Sequence, residues 1–67
     1  MTELAARLLA VRKERGLTQQ QLADLAGVHQ GTVASIESGR TADPAASVLL
    51  GVAKALDVDP RDLLPLR

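Results

Sequence analysis

The residues that could act in catalysis are few in this chain, and their spacing is unfavourable. A serine nucleophile activated by a histidine base would have to use Ser35 and His29, because His29 is the single histidine. These two residues are six positions apart, which puts them about 120° apart around a helix and on different faces of it. No third group is available to orient the base. The sequence therefore argues against an enzyme.

Three acidic residues near the C-terminus, Asp57, Asp59 and Asp62, form the cluster that most suggests a metal site. A calcium loop would need more oxygen ligands and a glycine at its sharp turn. Zinc is disfavoured because the chain has no cysteine and one histidine. Helix capping explains Asp59 better than metal binding does. We therefore expect no metal ion and no other cofactor.

Composition points to one small domain. A chain of 67 residues is expected to form a single domain, 1–67, with a small core, and dimerisation is a usual way to stabilise such a domain. Without aromatic residues the core must be aliphatic, and the stacking that grips single-stranded nucleic acid is absent. The net charge of zero does not by itself suggest a nucleic-acid partner, because phosphate contacts supply most non-specific affinity.

The chain shows no targeting or membrane signal. No stretch approaches the roughly 20 apolar residues that span a bilayer. The N-terminus also lacks a basic region followed by an apolar run, so no signal peptide is predicted. We therefore expect a cytoplasmic protein with no membrane partner.

Glycine and proline divide the chain into five short segments with helical periodicity, and no alternating strand pattern occurs. The predicted helices cover 2–15, 18–26, 30–38, 44–56 and a short stretch that begins at residue 60. Apolar residues recur at helical spacing in each of them. Those expected to face the core are Leu4, Leu8, Val11, Leu22, Leu25, Ala26, Val33, Ile36, Leu49, Val52, Ala53, Leu56 and Leu63.

Helix start signals precede several of these segments. Thr18 and Gln21 form a capping box, in which the threonine hydroxyl accepts from the third amide and the glutamine reaches back to the cap. The other expected caps are polar residues, two of them followed by a proline suited to the first helical position: Thr2, Asp43 before Pro44, and Asp59 before Pro60.

A longer ordered pattern joins the second and third segments. Residues 18–28 read TQQQLADLAGV and residues 32–40 read TVASIESGR. With its two glycine stops, this pattern resembles the Cro/repressor-type helix-turn-helix family of phage and bacterial regulators, and residues 44–64 resemble the family's last two helices. The resemblance implies an all-α fold, a compact five-helix bundle of the lambda-repressor type. It also implies a helix-turn-helix core at 18–40 that binds double-stranded DNA.

The resemblance makes the third helix the one that enters the major groove, with its first residues at the base edges. It thereby implies base contacts by Gln30, Gly31, Thr32 and Ser35. A glutamine can pair bidentately with adenine, and a threonine methyl can pack on a thymine methyl. Gly31 stands where a long contacting side chain is common. It either lets the helix approach the groove closely or leaves base reading to the other three residues.

Contacts to the DNA backbone are implied by the same resemblance. Gln19 begins the second helix, whose N-terminal end clamps a phosphate in the family. Ser38 and Arg40 belong to the loop after the recognition helix, which also contacts phosphate in similar proteins. His29 stands where a serine or threonine cap is commoner, and phosphate contact is its expected role.

Arg12 and Glu37 match a pair that forms a partly buried salt bridge between the first and third helices of similar proteins. Their expected role is architectural.

Leu64 and Leu66 exceed what the predicted core requires, as do Leu9 and Leu50. Because Leu64 and Leu66 lie together near the C-terminus, we expect them to form a dimer patch.

These observations predict a transcriptional regulator that binds specific DNA sequences, a repressor or autoregulator. Two copies in a homodimer would place their recognition helices in successive major grooves of a palindromic operator, about 34 Å apart. Three alternatives stay open: an antitoxin-like protein whose main partner is a toxin, the DNA-binding domain of a longer regulator, and an adaptor with this fold that reads no DNA. The start at Met1 and the end soon after Pro65 disfavour the second.

Overall fold

The structure, a computed structural model, describes residues 3–63, which form five helices and no strand. The helices are α1 (Glu3–Glu14), α2 (Gln19–Ala26), α3 (Gln30–Glu37), α4 (Ala46–Leu56) and α5 (Pro60–Leu63). The predicted all-α fold and its five helices are therefore confirmed. The expected cap Thr2 lies outside the described residues. None of the described helices is both long enough and apolar enough to cross a membrane.

The start of α2 has the predicted capping box. Thr18 Oγ1 accepts a hydrogen bond from the amide of Gln21 at 3.0 Å, and Gln21 Oε1 accepts one from the amide of Thr18 at 2.8 Å. At the other end, Gly27 has φ of 72°, a left-handed conformation that glycine adopts without strain. The amide of Val28 then donates to the carbonyl of Ala23 at 3.0 Å. Both ends of α2 are thus defined by residues within one turn of it.

The core is aliphatic, as the composition requires, and every helix contributes to it. α2 packs against α3 and α4, α1 packs against α3 and α5, and α4 packs against α5. The buried apolar side chains are Leu4, Ala5, Leu8, Leu22, Ala23, Val33, Ile36, Val52, Ala53, Leu56 and Leu63.

The prediction that Leu25 faces the core is wrong, because 64% of this residue is exposed. The inner face of α2 is centred on Leu22 and Ala23, which are fully buried, and on Ala26, which packs partly against them. Leu25 is one residue before Ala26, about 100° round the helix from it. It therefore points out of the bundle.

The predicted start of α4 is also wrong. Asp43 and Pro44 precede the helix instead of capping and beginning it, and α4 starts at Ala46 with Ala45 as the N-cap. Ala45 has ψ of 147°, an extended value that interrupts helical progression after Pro44, and its side chain makes no cap bond. By contrast, Asp59 does cap α5, accepting from the amide of Arg61 at 2.9 Å.

α4 crosses α2 at very short range through Gly51. A Cβ placed on Gly51 would lie 2.9 Å from the carbonyl oxygen of Ala26, which is backbone and cannot move aside cheaply. Glycine at this position therefore allows α4 to approach the C-terminal end of α2 more closely than any residue with a Cβ would.

Candidate nucleic-acid interface

The turn between α2 and α3 leaves the N-terminal end of α3 open. His29 is the N-cap of α3, and its carbonyl accepts from the amides of Thr32 at 2.9 Å and Val33 at 3.4 Å. Its exposed side chain makes no cap hydrogen bond. The first amides of α3 are thus available to a ligand from outside, as helix N-termini generally are.

The two faces of α3 differ sharply. Val33, Ile36 and Glu37 are buried against the other helices. Gln30 and Gly31 are exposed, while Thr32 and Ser35 are half-buried. All four residues predicted to contact bases are therefore at least partly exposed to solvent, on the side of α3 that faces away from the core.

A salt bridge joins α3 to α1. Arg12 Nε donates to Glu37 Oε2 at 2.6 Å and Arg12 Nη2 donates to Glu37 Oε1 at 3.0 Å, a bidentate pairing. Arg12 Nη1 also donates to the carbonyl of Leu17 at 2.7 Å. The structure brings the two expected partners together, and only 6% of Glu37 is exposed.

Electrostatics keep this pair charged. Burial alone would raise the pKa of Glu37, but hydrogen bonds from Arg12 and Gln19, together with the positive charges of Arg12 and Lys13, lower the pKa overall. The hydrogen bond to Glu37 raises the pKa of Arg12. Glu37 is therefore a carboxylate at neutral pH, and its oxygens can only accept hydrogen bonds.

Gln19 and Gln30 extend this pair to the surface. Gln19 Nε2 donates to Glu37 Oε1 at 3.0 Å, and Gln30 Nε2 donates to Gln19 Oε1 at 2.7 Å. One chain of hydrogen bonds thus runs from Arg12 through Glu37 and Gln19 to the exposed amide of Gln30. The resemblance predicted the pair of Arg12 and Glu37, but no local sequence pattern connects that pair to Gln19 and Gln30.

The loop after α3 is tied back to the helix by hydroxyl groups. The hydroxyls of Ser35 and Thr41 lie 2.7 Å apart in a hydrogen bond, and the amide of Thr41 donates to the carbonyl of Ser35 at 3.1 Å. Ser38 Oγ donates to the same carbonyl at 3.0 Å and accepts from the amide of Arg40 at 3.3 Å. Thr41, to which no sequence pattern pointed, is therefore a structural partner of Ser35.

A shallow depression lies beside the exposed face of α3. Its cavity volume is about 280 Å³, and it is lined by Gly31, Ala34, Ser35, Ser38 and Arg40. Apart from the arginine these are small residues, so a bulky ligand can approach the helix backbone here. A Cβ on Gly31 would meet nothing within 4 Å. No packing contact within the described structure therefore requires glycine at this position.

The helix-turn-helix family model matches residues 8–63, which is most of the chain. The chain belongs to the helix-turn-helix family. This confirms the resemblance inferred from residues 18–40. The family is one of DNA-binding transcriptional regulators and not of enzymes, in agreement with the sequence-based expectation.

Two helix-turn-helix relatives illustrate the similarity. The chain is 44% identical over 41 residues to the repressor protein C of Escherichia phage P2, covering 61% of this chain and 41% of that protein. The chain thus matches less than half the length of that repressor. The fold matches the crystal structure of the restriction-modification controller protein C.AhdI from Aeromonas hydrophila. That match has a TM-score of 0.87 at 34% identity and covers 92% of each chain.

Leu64 and Leu66, the expected dimer patch, lie outside the described residues. Within them, the exposed large apolar side chains are Leu25 and Leu50. Leu25 borders an open groove of about 530 Å³ between α2 and α4. Leu9, also considered surplus to the core, is half-buried.

The described residues contain no group of three or more histidine, aspartate or glutamate side chains placed to hold a metal ion. Asp59 instead pairs with Arg61, whose Nη2 lies 3.0 Å from its carboxylate. The hydrogen bonds from Arg61 lower the pKa of Asp59. The capping interpretation of Asp59 therefore agrees with its contacts.

Proposed function

We propose that this chain, as a single domain over residues 1–67, binds a specific double-stranded DNA sequence and regulates transcription as a repressor or autoregulator. The observation that carries the proposal is the exposed N-terminal end of α3, on a helix that is bonded to α1 by the salt bridge and to the loop that follows it by the Ser35 hydroxyl. An α-helix presented in this way fits the major groove, where its first residues reach the base edges.

Four residues on this surface are the proposed base contacts. Gln30 is exposed, and its amide can pair with an adenine. Gly31 lets the helix backbone approach the groove, and the open space around it supports this. Thr32 offers a methyl group to thymine. Ser35 has the smallest role of the four, because its hydroxyl is already bonded to Thr41.

The proposed phosphate contacts flank these residues. Gln19 is the first residue of α2 and His29 is the N-cap of α3, so both stand at a helix N-terminus, where the amides and the helix dipole favour an anion. In the loop after α3 both Ser38 Oγ and the amide of Arg40 are engaged within the protein. The guanidinium of Arg40 therefore carries most of the phosphate contact of that loop, and Ser38 mainly shapes it.

We further propose a homodimer on a palindromic operator, with Leu64 and Leu66 at the interface. The formal net charge of zero supports this, because one subunit has little long-range attraction for DNA and two would combine their contacts. Such a protein would act in the compartment that holds the chromosome, the cytoplasm of a bacterial cell. The two named relatives are a repressor and a controller protein, which favours a regulator over an antitoxin-like protein that binds a toxin.

Selection from a pool of random DNA duplexes tests the proposal. We expect the unmodified chain to enrich a palindrome whose half-sites are centred one helical turn apart. The matched control is the variant Gln30→Ala, which should enrich a sequence relaxed at one position of each half-site. A pool that stays random with the unmodified chain would contradict sequence-specific binding. An enriched sequence without two-fold symmetry would contradict the homodimer on DNA.

A further inference from the structure

The loop after α3 is ordered by hydrogen bonds and not by packing. None of residues 38–43 is buried, so no side chain of this loop is fixed by the core. The loop is attached to α3 mainly at Ser35, which Thr41 contacts twice. The amide of Thr41 donates to the carbonyl of Ser35 at 3.1 Å, and the two hydroxyls lie 2.7 Å apart. We call these two hydrogen bonds the Ser35–Thr41 contact.

Arg40 lies directly before the residue that makes this contact. Its own amide donates to Ser38 Oγ at 3.3 Å, and Ser38 Oγ donates to the carbonyl of Ser35 at 3.0 Å. The backbone of Arg40 is therefore bonded towards α3 on both sides, through Ser38 and through Thr41. Arg40 lines the depression on the exposed face of α3 together with Gly31 and Ser35.

The charge of Arg40 is available to a ligand. Arg40 is exposed, and no carboxylate within the described part of the chain forms a salt bridge with it. Asp43 stands three residues further along the same loop and is also exposed. In a loop without the Ser35–Thr41 contact, these two opposite charges could pair with each other, and the pairing would compete with a phosphate. A loop bonded to α3 keeps Arg40 beside that helix.

We propose that Thr41 is a positioning residue for DNA binding, which holds Arg40 through Ser35 so that its guanidinium meets a phosphate without touching the DNA itself. This proposal rests on the proposed function, in which Arg40 contacts the DNA backbone. Its physical basis is the cost of ordering a long side chain on a mobile loop, which the Ser35–Thr41 contact reduces before the DNA arrives.

The variant Thr41→Val tests the proposal, because it keeps the branched shape of the side chain and removes its hydroxyl. Affinity for the duplex selected by the unmodified chain should fall about two- to tenfold, the cost of ordering one long side chain at an interface. In an Arg40→Gln background the same change should cause no further loss. The control Thr41→Ser keeps the hydroxyl and should bind as the unmodified chain does.

The dependence on salt separates positioning from a purely structural role. A phosphate contact releases counterions and weakens as salt rises, so Arg40→Gln should lower the slope of log affinity against log salt by about 0.9 per subunit. The loss in Thr41→Val should shrink over the same range, because it acts through Arg40. A loss that is equal at every salt concentration, and equal with arginine or glutamine at position 40, overturns the proposal.

A second variant keeps the test decisive if Thr41→Val does not fold, which far-ultraviolet circular dichroism would show. Ser38→Ala removes the acceptor of the Arg40 amide at an exposed position, and its loss of affinity should also depend on Arg40. A Ser38→Ala loss that is independent of Arg40 then overturns the proposal. If Arg40→Gln binds as tightly as the unmodified chain, the proposed phosphate contact of Arg40 is wrong instead, so the two failures are distinguishable.

Discussion

The salt bridge between Arg12 and Glu37 should stabilise the fold only as a pair, and a double-mutant cycle measures this. The side chains are 12% and 5% exposed, so removing one partner leaves a charge buried without its counter-ion. Such a loss costs about 3 kcal/mol. A domain of this length has a total free energy of unfolding of roughly 3 to 10 kcal/mol, so each single variant should lose a large part of it.

The three variants are Arg12→Met, Glu37→Leu and the double variant. Exchange of a buried ion pair for apolar side chains of similar size is often nearly neutral. Two hydrogen bonds are still lost, because the carbonyl of Leu17 loses its donor Arg12 and the amide of Gln19 loses its acceptor Glu37, at a cost of about 1 kcal/mol each. The double variant should therefore be more stable than either single variant. The chain has no aromatic residue, so unfolding in urea is best followed by far-ultraviolet circular dichroism.

The exposed pair of Glu3 and Arg7 offers a control on the same helix as Arg12. Its atoms approach to 2.6 Å but its side chains are 52% and 41% exposed, so Glu3→Gln should cost less than about 0.5 kcal/mol. A cost below about 1 kcal/mol for each single variant would show that the buried pair does not stabilise the fold in this way. A cost of the double variant equal to the two single costs added together would show that the two side chains are not coupled.

Three further predictions concern pH, packing and base reading. Since the pKa of Glu37 is lowered in the folded state, its contribution to stability is fully present above the ordinary value of 4.5. That contribution is lost as the pH falls through the lowered pKa, so urea midpoints measured from pH 6 to pH 3 should drop more steeply for the native chain than for the double variant. Gly51→Ala should destabilise the fold by about 1 to 3 kcal/mol, because its Cβ would be 2.9 Å from a backbone oxygen of α2. Gly31→Ala makes the same change where nothing lies within 4 Å, so it should stabilise the fold by up to about 1 kcal/mol. If thermal melts show equal effects for the two variants, the close approach of α4 to α2 is not the cause of the loss in Gly51→Ala. Gln30→Ala should weaken binding to the selected duplex by about 1 to 3 kcal/mol, whereas Gln20→Ala should not. Titration with labelled duplexes measures both affinities. An equal loss of affinity for unrelated duplexes would show that Gln30 does not read a base.

Much of the fold follows from patterns that act within one or two helical turns. The capping box of Thr18 and Gln21, the left-handed Gly27 and the cap at Asp59 each depend on neighbours at most a few residues away. The conformation of these helix ends can therefore be predicted from the sequence. Predictions from neighbouring residues failed at two places, the start of α4 and the side chain of Leu25. Asp43 and Pro44 have the chemistry of a helix start, but the extended conformation of Ala45 delays α4 to Ala46. Periodicity alone also placed Leu25 in the core, although α2 turns it outward.

The sequence by itself determined the helices, most of the apolar side chains they bury and the surface of α3 that faces outward. It also pointed to Arg12 and Glu37 as partners, through a family resemblance. Only the tertiary structure decided that Gln19 and Gln30 belong to the same hydrogen-bonded chain. The reason is physical: helical periodicity states which way a side chain points from its own helix. Whether two side chains from different helices meet within 3 Å depends on how those helices cross, and the packing of the whole core decides that.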